Sequence, residues 1–240
     1  MRQKKVVAVC SSPRGGKGGD RSLTEKFLNA FLEGLAPEDF KIFYPHDMKM
    51  AFCTGCYTCW LRTPGICAIN DDMTEANAAL READLIILAT PVYVDGMSAQ
   101  LKTFLDRSIC SFDALIIADQ EGHLRHKLLN EKKRQALLIS TCGFPEMDNF
   151  DPLRAHFAAI CRNCFWDNAG EILIPASALG SMPGGYEAEL TAVKEAGKEF
   201  AAEEKISDQT RQKVTPQSMD ALKYMDIVNT FFAKLMKRNK

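Results

Sequence analysis

Short apolar segments alternate with amphipathic segments along the chain. The apolar segments are typical of strands that are covered on both faces of a parallel sheet, and they lie at residues 6–10, 41–44, 85–90, 136–140 and 172–175. Between them, apolar residues recur at spacings of three and four, which predicts helices. The alternation predicts a three-layer, doubly wound α/β fold, with the loops of a parallel sheet gathered at one edge.

Capping signals mark the helix starts. Ser22 followed by Glu25 forms a capping box at the first helix, and Asp72 followed by Glu75 predicts a second box at a helix over residues 72–82. Further helices are predicted over residues 98–110, 152–164 and 186–204. The polar stretch 111–134 is interpreted as a long loop, although its residues 115–118 also fit a strand and the choice stays open.

The composition of the chain changes near residue 205. Residues 1–204 are therefore predicted to form the sheet domain, and residues 205–240 a helical extension. Thr215-Pro216 indicates a helix with proline at its first position. Its apolar stripe would pack either on the same domain or on another subunit, and it consists of Met219, Leu222, Met225, Val228, Phe232 and Leu235.

Charge and composition exclude several kinds of partner. The 240 residues are 46% hydrophobic and carry a net charge of -1, so no electrostatic signal favours nucleic acid or an anionic membrane. The first apolar run stops at Ser11, too early for a signal peptide, and no stretch approaches the ~20 apolar residues of a membrane span. A cytoplasmic protein is expected. Nine cysteines in a reducing compartment favour metal, cluster or thiol chemistry over structural disulfides.

The loop after the first strand is rich in glycine and carries several anion ligands. A loop that leads into a helix start presents unpaired backbone N–H groups and the positive end of the helix dipole, so phosphate is its natural ligand. Hydroxyl groups and a guanidinium can add side-chain donors. The predicted phosphate ligands are Ser12, Arg14, Ser22 and Thr24.

Three other kinds of loop do not match these residues. A Walker loop would need glycine at position 11 and Ser or Thr at position 18, where the chain has Ser11 and Gly18. The glycine spacing does not give the dinucleotide fingerprint. A cysteine phosphatase would need arginine at position 16, which is Gly16, so Cys10 is interpreted as a buried strand residue.

Two further loops leave the same edge of the sheet, after the third and fourth strands. Residues 90–98 combine proline, an aromatic residue and glycine, and residues 141–146 form the second loop. A flat, mostly apolar wall with backbone polar groups suits the isoalloxazine ring of a flavin. The predicted ring contacts are Pro91, Val92, Tyr93, Val94, Cys142 and Gly143.

Four segments give the chain a family resemblance: Ser12-Pro13-Arg14, residues 53–73, Pro91-Val92-Tyr93, and residues 100–107. With them the chain resembles, over roughly residues 5 to 175, the NADPH-dependent FMN reductase branch of the flavodoxin-like proteins, which includes iron-sulfur flavoproteins. The resemblance implies a sheet in the order 2-1-3-4-5, bound FMN, NAD(P)H as transient donor, and a homodimer or homotetramer. The chain departs from the family at residues 21–24, where relatives often carry Gly-Asn-Thr, and Ser22 and Thr24 are the expected substitutes.

Four cysteines form a compact block at Cys53, Cys56, Cys59 and Cys67. Two successive C-x2-C steps can wrap one face of a [4Fe-4S] cluster, and the iron-sulfur branch of the family uses a similar motif. Free or redox-active thiols are an equal alternative, and zinc is a third. Cys110, Cys142, Cys161 and Cys164 are interpreted as packing residues.

These features predict an FMN-dependent NAD(P)H oxidoreductase that passes electrons to a quinone, a flavin or another small acceptor. No side chain is predicted to be a catalytic acid, base or nucleophile, because the flavin carries the chemistry. The alternative is a non-catalytic electron carrier or redox sensor, in which FMN and a cluster on the four cysteines exchange electrons with a partner redox protein.

Overall fold

The computed structural model describes residues 4–16, 22–181, 185–215 and 220–238. Its strands are β1 (Lys5–Cys10), β2 (Asp39–Phe43), β3 (Leu85–Pro91), β4 (Phe112–Ala118), β5 (Leu124–Leu128), β6 (Arg134–Thr141) and β7 (Trp166–Ile174). Five of them pair in parallel in the order β2-β1-β3-β6-β7, whereas β4 and β5 form a separate antiparallel hairpin. Counted within the sheet, this is the predicted 2-1-3-4-5 order, and the predicted fold class is confirmed.

Helices cover both faces of the sheet. They are α1 (Leu23–Leu35), α2 (Thr58–Leu61), α3 (Met73–Glu82), α4 (Ala99–Arg107), α5 (Asp151–Cys164), α6 (Glu187–Glu203), α7 (Asp208–Val214) and α8 (Ala221–Arg238). Phe31 of α1 and Phe200 of α6 pack on one face, with ring centroids 5.9 Å apart. Phe104 of α4 and Phe157 of α5 belong to the core on the other face. The two faces share one sheet whose central strands β1, β3 and β6 are almost wholly buried.

Helices α1 and α6 cross at two glycines. A Cβ at Gly34 would collide with the Lys194 carbonyl oxygen, and a Cβ at Gly197 with that of Phe31. The two backbones therefore pack at a distance that only glycine permits. This contact fixes α1 against α6.

Of the two interpretations left open for residues 111–134, the long loop is wrong and the strand at 115–118 is confirmed as part of β4. Residues 112–118 and 124–128 pair as a hairpin, with Ile116 opposite His126 and Ile117 opposite Arg125. The second strand, LRHKL, is mostly polar and partly exposed. Its sequence therefore lacks the apolar signal that marks the strands of the sheet.

The capping box predicted at Asp72 is also wrong. Asp72 Oδ2 accepts a hydrogen bond from Lys49 N at 2.7 Å, and Glu75 forms an ion pair with Lys41. The side chain of Asp71 instead accepts from Met73 N at 3.1 Å. Asp72 therefore holds the segment before the helix and Glu75 pairs with β2, so the two side chains do not close a reciprocal box.

The C-terminal part contains α7, which the sequence did not predict, and α8. Ile206 and Val214 are buried in the same core as α1 and α6, so this core extends past residue 204. The division of the chain at that residue stays a prediction. Pro216 and Met219, which belonged to the predicted last helix, lie outside the described residues. None of the helices in the described ranges combines the length and the apolar composition of a membrane-spanning segment.

Candidate functional site

Hydrogen bonds join the loops at the carboxyl edge of the sheet. Ser11 N donates to Ala89 O at 2.8 Å, which joins the loop after β1 to β3. Val92 N donates to Thr141 O at 2.8 Å, which joins the loop after β3 to β6. Ser177 N donates to Cys142 O at 2.8 Å, which joins the loops after β6 and β7. The three predicted flavin-binding segments thus form one connected surface.

Glu25 of α1 accepts a hydrogen bond from the turn that follows β1. Gly16 N lies 3.2 Å from both carboxylate oxygens of Glu25, and Gly16 has a φ of 80°. A Cβ at Gly16 would stand 2.6 Å from Asp47 Oδ2. Burial, followed by a hydrogen bond to Glu25, raises the pKa of Tyr44. Glu25 therefore holds Gly16 and also contacts Tyr44, which follows β2.

The predicted phosphate ligands lie close to the start of α1, but their hydroxyl groups differ in availability. Ser22 caps α1 by accepting from Glu25 N at 3.2 Å, and its own O–H can still donate. Thr24 is buried and shares a hydrogen bond of 2.8 Å with Thr141. Ser12 is buried and Arg14 is exposed. Arg14 is therefore the most accessible of the four, and Thr24 is already bonded within the fold.

The loop after β3 contains a tight and strained turn. Tyr93 N donates to Gly96 O at 2.9 Å and Gly96 N donates back to Tyr93 O at 3.1 Å. Val94 and Asp95 between them have φ angles of 46° and 61°, and a β-branched residue rarely adopts a positive φ. Val94 is 99% exposed and Tyr93 is 45% exposed, whereas Pro91 is buried. The turn thus presents an aromatic and an aliphatic side chain to solvent at the predicted ring edge.

The loop after β6 offers an open backbone surface. Among the described residues other than its two chain neighbours, none has a heavy atom within 4 Å of the place where a Cβ at Gly143 would stand, so a flat ligand can approach the backbone there. The neighbouring Cys142 is buried, and burial raises the pKa of its thiol. Tyr224 of α8, which is itself buried, donates a hydrogen bond to Gly143 O. The last helix therefore contacts the predicted flavin edge directly.

A large cavity lies beside this edge. Its volume is about 730 Å³, and it is bounded by Arg14 of the first loop, by Gly143 and Phe144 of the loop after β6, by Gly180 after β7, and by α8. None of residues 91–94 lines it. The predicted ring contacts therefore fall into two groups. Gly143 lines the cavity and Cys142 is its neighbour in the chain, whereas Pro91, Val92, Tyr93 and Val94 do not line the cavity.

The structure brings the cysteine block together around a separate cavity of about 440 Å³, which is lined by Cys53, Cys56, Cys59 and Cys67. Hydrogen bonds, chiefly from Thr58, lower the pKa of the exposed Cys56 thiol, and burial raises that of Cys59. In the described part of the chain, no set of three or more Cys, His, Asp or Glu side chains is arranged as a metal site. The four thiols therefore share a cavity without converging on one point.

A buried ion pair holds both ends of the cysteine block. The side chain of Arg107 is fully buried and contacts Asp71 twice, at 2.7 Å and 2.9 Å. Arg107 also donates to Ala51 O at 2.7 Å and to Ile69 O at 3.2 Å. Residues on either side of the block are thus tied to the end of α4. Arg107 lines the cavity together with Cys67, and its Nε is buried without a hydrogen-bond partner among the described residues.

The remaining cysteines are packing residues, as predicted. Burial raises the pKa of Cys10 and Cys161 to about 12 and that of Cys110 to about 11. Cys164 is only half-buried in accessible surface, yet desolvation raises its pKa to about 12 as well. Thiols in such surroundings stay protonated near neutral pH and are poor nucleophiles.

Three features of the site escaped sequence reasoning. Glu25 was recognised only as a capping residue, and the pairing of Asp71 with Arg107 joins residues 36 positions apart. The contact between Tyr224 and Gly143 spans 81 positions. Contacts this far apart in sequence leave no periodic signal. The one available hint was Arg107 itself, an arginine at the end of an otherwise amphipathic helix.

Comparison with known proteins gives a family and several relatives. The family model described as NADPH-dependent FMN reductase matches residues 4–144. An iron-sulfur flavoprotein of Archaeoglobus fulgidus is 40% identical over 107 residues, which is 44% of this chain and 46% of that protein. An iron-sulfur flavoprotein of Methanocaldococcus jannaschii is 40% identical over 105 residues, 43% of this chain and 51% of that protein. The chain thus spans about half the length of the curated relatives it matches.

Among solved structures, the fold is similar to that of an FMN-dependent NADH-azoreductase from Bacillus anthracis, crystallised in complex with FMN. The TM-score is 0.62, with 82% of this chain and 99% of that chain covered. The sequences are only 14% identical. This likeness supports the flavodoxin-like fold of the described structure.

Proposed function

Because the chain belongs to the NADPH-dependent FMN reductase family, we propose that it binds FMN and passes electrons from NAD(P)H to a quinone, a flavin or another small acceptor. One observation carries the proposal: the loops after β1, β3 and β6 are joined by backbone hydrogen bonds into a single surface at the carboxyl edge of the sheet. Ligands of open α/β sheets bind at this edge. The position of these loops and the hydrogen bonds that hold them support a cofactor site at this edge.

The residues at this edge suit the parts of FMN. The phosphate would be held by Arg14, Ser12 and Ser22 with the N–H groups that precede α1, where the helix dipole favours an anion. Thr24 contributes less directly, because its hydroxyl is bonded to Thr141. The ring would lie against the Pro91 to Val94 turn and the open backbone of Gly143.

FMN, when bound, supplies the two-electron chemistry. For a quinone Q the overall reaction is NAD(P)H + H⁺ + Q → NAD(P)⁺ + QH₂. Both electrons and one hydrogen come from the nicotinamide, and the second proton comes from solvent. The tasks of the protein are to hold the cofactor, to keep the turn at Tyr93 in place and to leave one face open for donor and acceptor in turn.

The direct test is FMN binding by the apoprotein, followed by anaerobic reduction with NADPH or NADH. We expect wild-type protein to bind FMN and Arg14→Ala to bind it about tenfold or more weakly, since a charge-assisted pair with phosphate is lost. Arg162→Ala, an exposed arginine on α5, is the matched control. Absence of FMN binding by the wild type would refute the function. Equal affinity of Arg14→Ala and wild type would refute only the role of Arg14.

A second candidate function is that of an iron-sulfur flavoprotein that carries electrons to or from a redox protein. The observation that favours it is the shared cavity of Cys53, Cys56, Cys59 and Cys67, with both ends of the block fixed by Arg107. Four soft thiolate donors fit a [4Fe-4S] cluster and also fit zinc. The thiols would have to move closer than they are here, and the exposed segment that carries Cys53 and Cys56 permits this, whereas Cys59 is buried in α2.

Anaerobic purification with assays for iron, acid-labile sulfide and zinc separates the alternatives. About four irons and four sulfides per chain would support the cluster, and their loss in Cys59→Ser but not in Cys164→Ser would place it in the block. About one zinc per chain would support a zinc site instead. Protein free of all three would leave the block as thiols.

We also propose that the protein forms a homodimer or homotetramer, as the family resemblance implies. Light scattering on size-separated protein measures the mass directly against the 26.7 kDa of one chain. A mass of a single chain at all accessible concentrations would contradict this proposal.

A further inference from the structure

Helix α8 is attached to the domain along one side. Tyr224 is buried, and its hydroxyl donates a hydrogen bond to Gly143 O. Val228 and Phe231 follow on the same side of the helix and line the cavity beside Gly143. These contacts account for the inner side of α8, but they do not account for all of its apolar residues.

A second apolar side of α8 faces solvent. Its residues recur at alternating spacings of three and four, and this outer stripe consists of Leu222, Met225, Asn229, Phe232 and Met236. The four apolar members are 69%, 48%, 48% and 63% exposed, in chain order. None of them belongs to either buried core of the described residues, although Phe232 also borders the cavity. The described part of the chain therefore leaves the outer stripe largely uncovered.

The outer stripe is large enough to form the centre of a subunit contact. Its four apolar side chains together expose on the order of 400 Å², since a large side chain has ~200 Å² of surface and each is about half exposed or more. An apolar patch of this size often marks an interaction site. A standard interface buries ~800 Å² on each partner, of which about 60% is apolar. The outer stripe supplies most of that apolar area.

The pattern of the outer stripe fits a second copy of the same helix. Alternating spacings of three and four are those of helices that pack along a common seam. In a parallel pair about a two-fold axis, each member of the stripe meets its own copy, so Asn229 faces Asn229 of the partner subunit. An amide both donates and accepts, so the two side chains satisfy each other. In an antiparallel pair, Asn229 would instead lie opposite Met225 or Phe232, and its amide would stay unsatisfied.

A lipid surface is the other partner that an amphipathic helix can have. Lys223 and Lys234 are exposed on the polar side of α8 and would suit anionic headgroups. However, Asn229 in the middle of the stripe would then face hydrocarbon without a hydrogen-bond partner, which is costly. The exposed carboxylate of Asp226, next to Met225, would also face the headgroups. A second copy satisfies Asn229, whereas lipid does not.

We propose that α8 of a second copy packs on the outer stripe in parallel, about a two-fold axis along the helices. The inference rests on the proposed homo-oligomer and adds the surface through which the subunits meet. It does not depend on FMN binding. Because Tyr224 joins α8 to Gly143 O, the helix that makes this contact is also tied to the loop after β6.

Light scattering on size-separated protein tests the contact through the number of chains. The wild type should have the mass of two or more chains of 26.7 kDa. Met225→Glu places a carboxylate from each copy in the seam and should raise the dissociation constant at least about 100-fold. The mass should then fall to one chain, or from four chains to two. Thr230→Glu, on the exposed polar side of the same helix, is the matched control and should leave the mass unchanged.

Disulfide cross-linking tests the parallel arrangement. Under mild oxidation, Asn229→Cys should give a covalent dimer joined through the two introduced thiols, which peptide mass mapping identifies. Thr230→Cys, one position further along the helix, points away from the seam and should not give this product. The exposed thiols of Cys53 and Cys56 are present in both variants and contribute the same background.

Each outcome decides a separate part of the inference. A wild type with the mass of one chain, or an unchanged mass in Met225→Glu, would overturn the contact. Loss of mass in Met225→Glu without the disulfide in Asn229→Cys would overturn the parallel arrangement. A single-chain wild type that floats with phosphatidylserine vesicles would assign the stripe to a lipid surface instead.

FMN binding separates this inference from the proposed function. Met225→Glu should bind FMN as the wild type does and keep its far-ultraviolet circular dichroism, which shows that the variant is folded. If the wild type binds FMN but the contact is overturned, the function stands and the inference fails. If the mass falls and the disulfide forms as expected but no FMN binds, the inference stands and the function fails.

Discussion

At the scale of single residues, Arg107 has the largest predicted effect on stability. Its side chain is fully buried and its partner Asp71 is 12% exposed. Removing one member of a buried pair leaves the other charge uncompensated, so we expect Arg107→Ala to lower the free energy of unfolding by about 3 kcal/mol or more. Urea denaturation followed by circular dichroism measures this loss.

The matched control for Arg107 is the exposed ion pair of Lys102 with Asp106 on the same helix. Both side chains are about half exposed, at 49% and 46%. Lys102→Ala should therefore cost less than about 1 kcal/mol. Similar losses in Arg107→Ala and Lys102→Ala would contradict the role assigned to the buried pair. Arg107→Lys keeps the charge but not the two-pronged contact, and should fall between them.

The same pair makes stability depend on pH. Burial by itself would raise the pKa of Asp71, but hydrogen bonds from Arg107, Ala51 N and Met73 N outweigh it and hold the pKa below its ordinary value. The folded state therefore binds this proton less readily than the unfolded state. The stabilisation is complete above the unfolded pKa of about 3.9 and is lost as the pH falls through the folded value.

Asp71→Asn tests this pH dependence. The variant should be less stable than the wild type at pH 7, and the difference should shrink as the pH falls below about 4. Free energies of unfolding at several pH values between about 3 and 7 measure it. A difference that is constant across this range would show that the charge of Asp71 does not carry the effect.

At the scale of elements, the glycine contact between α1 and α6 sets how closely the two helices pack. Gly197→Ala places a Cβ against Phe31 O. Alanine favours a helix over glycine by up to about 1 kcal/mol, but overpacking costs about 1–3 kcal/mol. We expect a net loss, measured as a lower Tm by calorimetry. Ala201→Gly, on the exposed surface of α6, should show only the propensity cost. A higher Tm for Gly197→Ala would contradict the close contact.

The central elements could be predicted from the sequence, and the edges could not. β3 was expected at 85–90 and spans Leu85–Pro91. The prediction was close because every residue of this strand is buried. β7 was expected at 172–175 but begins at Trp166. Its first part was missed because Asp167 and Asn168 are polar and exposed at the sheet edge, and the pairing shifts register near Gly170. Burial on both faces leaves a clear apolar pattern, whereas an edge strand shows only part of it.

The candidate site follows the same rule. The loops that carry Arg14, Tyr93 and Gly143 were expected at one edge because parallel strands end together, and the described structure has them there. The side-chain partners that fill this edge, such as Thr141 for Thr24, depend on packing between distant segments. Sequence therefore predicted the position of the loops better than the hydrogen-bond partners of their hydroxyl groups.

At the scale of the whole molecule, the extent of the sheet domain can be tested by truncation. Ile206 and Val214 are 2% and 1% exposed and belong to the core formed by α1 and α6. Each fully buried side chain of this kind contributes about 1.5–3 kcal/mol. A chain that ends at Glu204 should therefore be less stable than the full chain by several kcal/mol. A chain that ends at Thr215 keeps both residues and loses α8, whose main buried anchor is Tyr224.

The two truncated chains should consequently differ in stability and in how well they retain FMN. The 1–215 chain should unfold at nearly the urea concentration of the full chain and retain FMN, because the core residues Ile206 and Val214 are kept. The 1–204 chain should unfold at clearly lower urea and release FMN more readily as the α1 packing loosens. If both chains are as stable as the full chain, the domain ends near residue 204, and α7 is an appendage that the fold does not require.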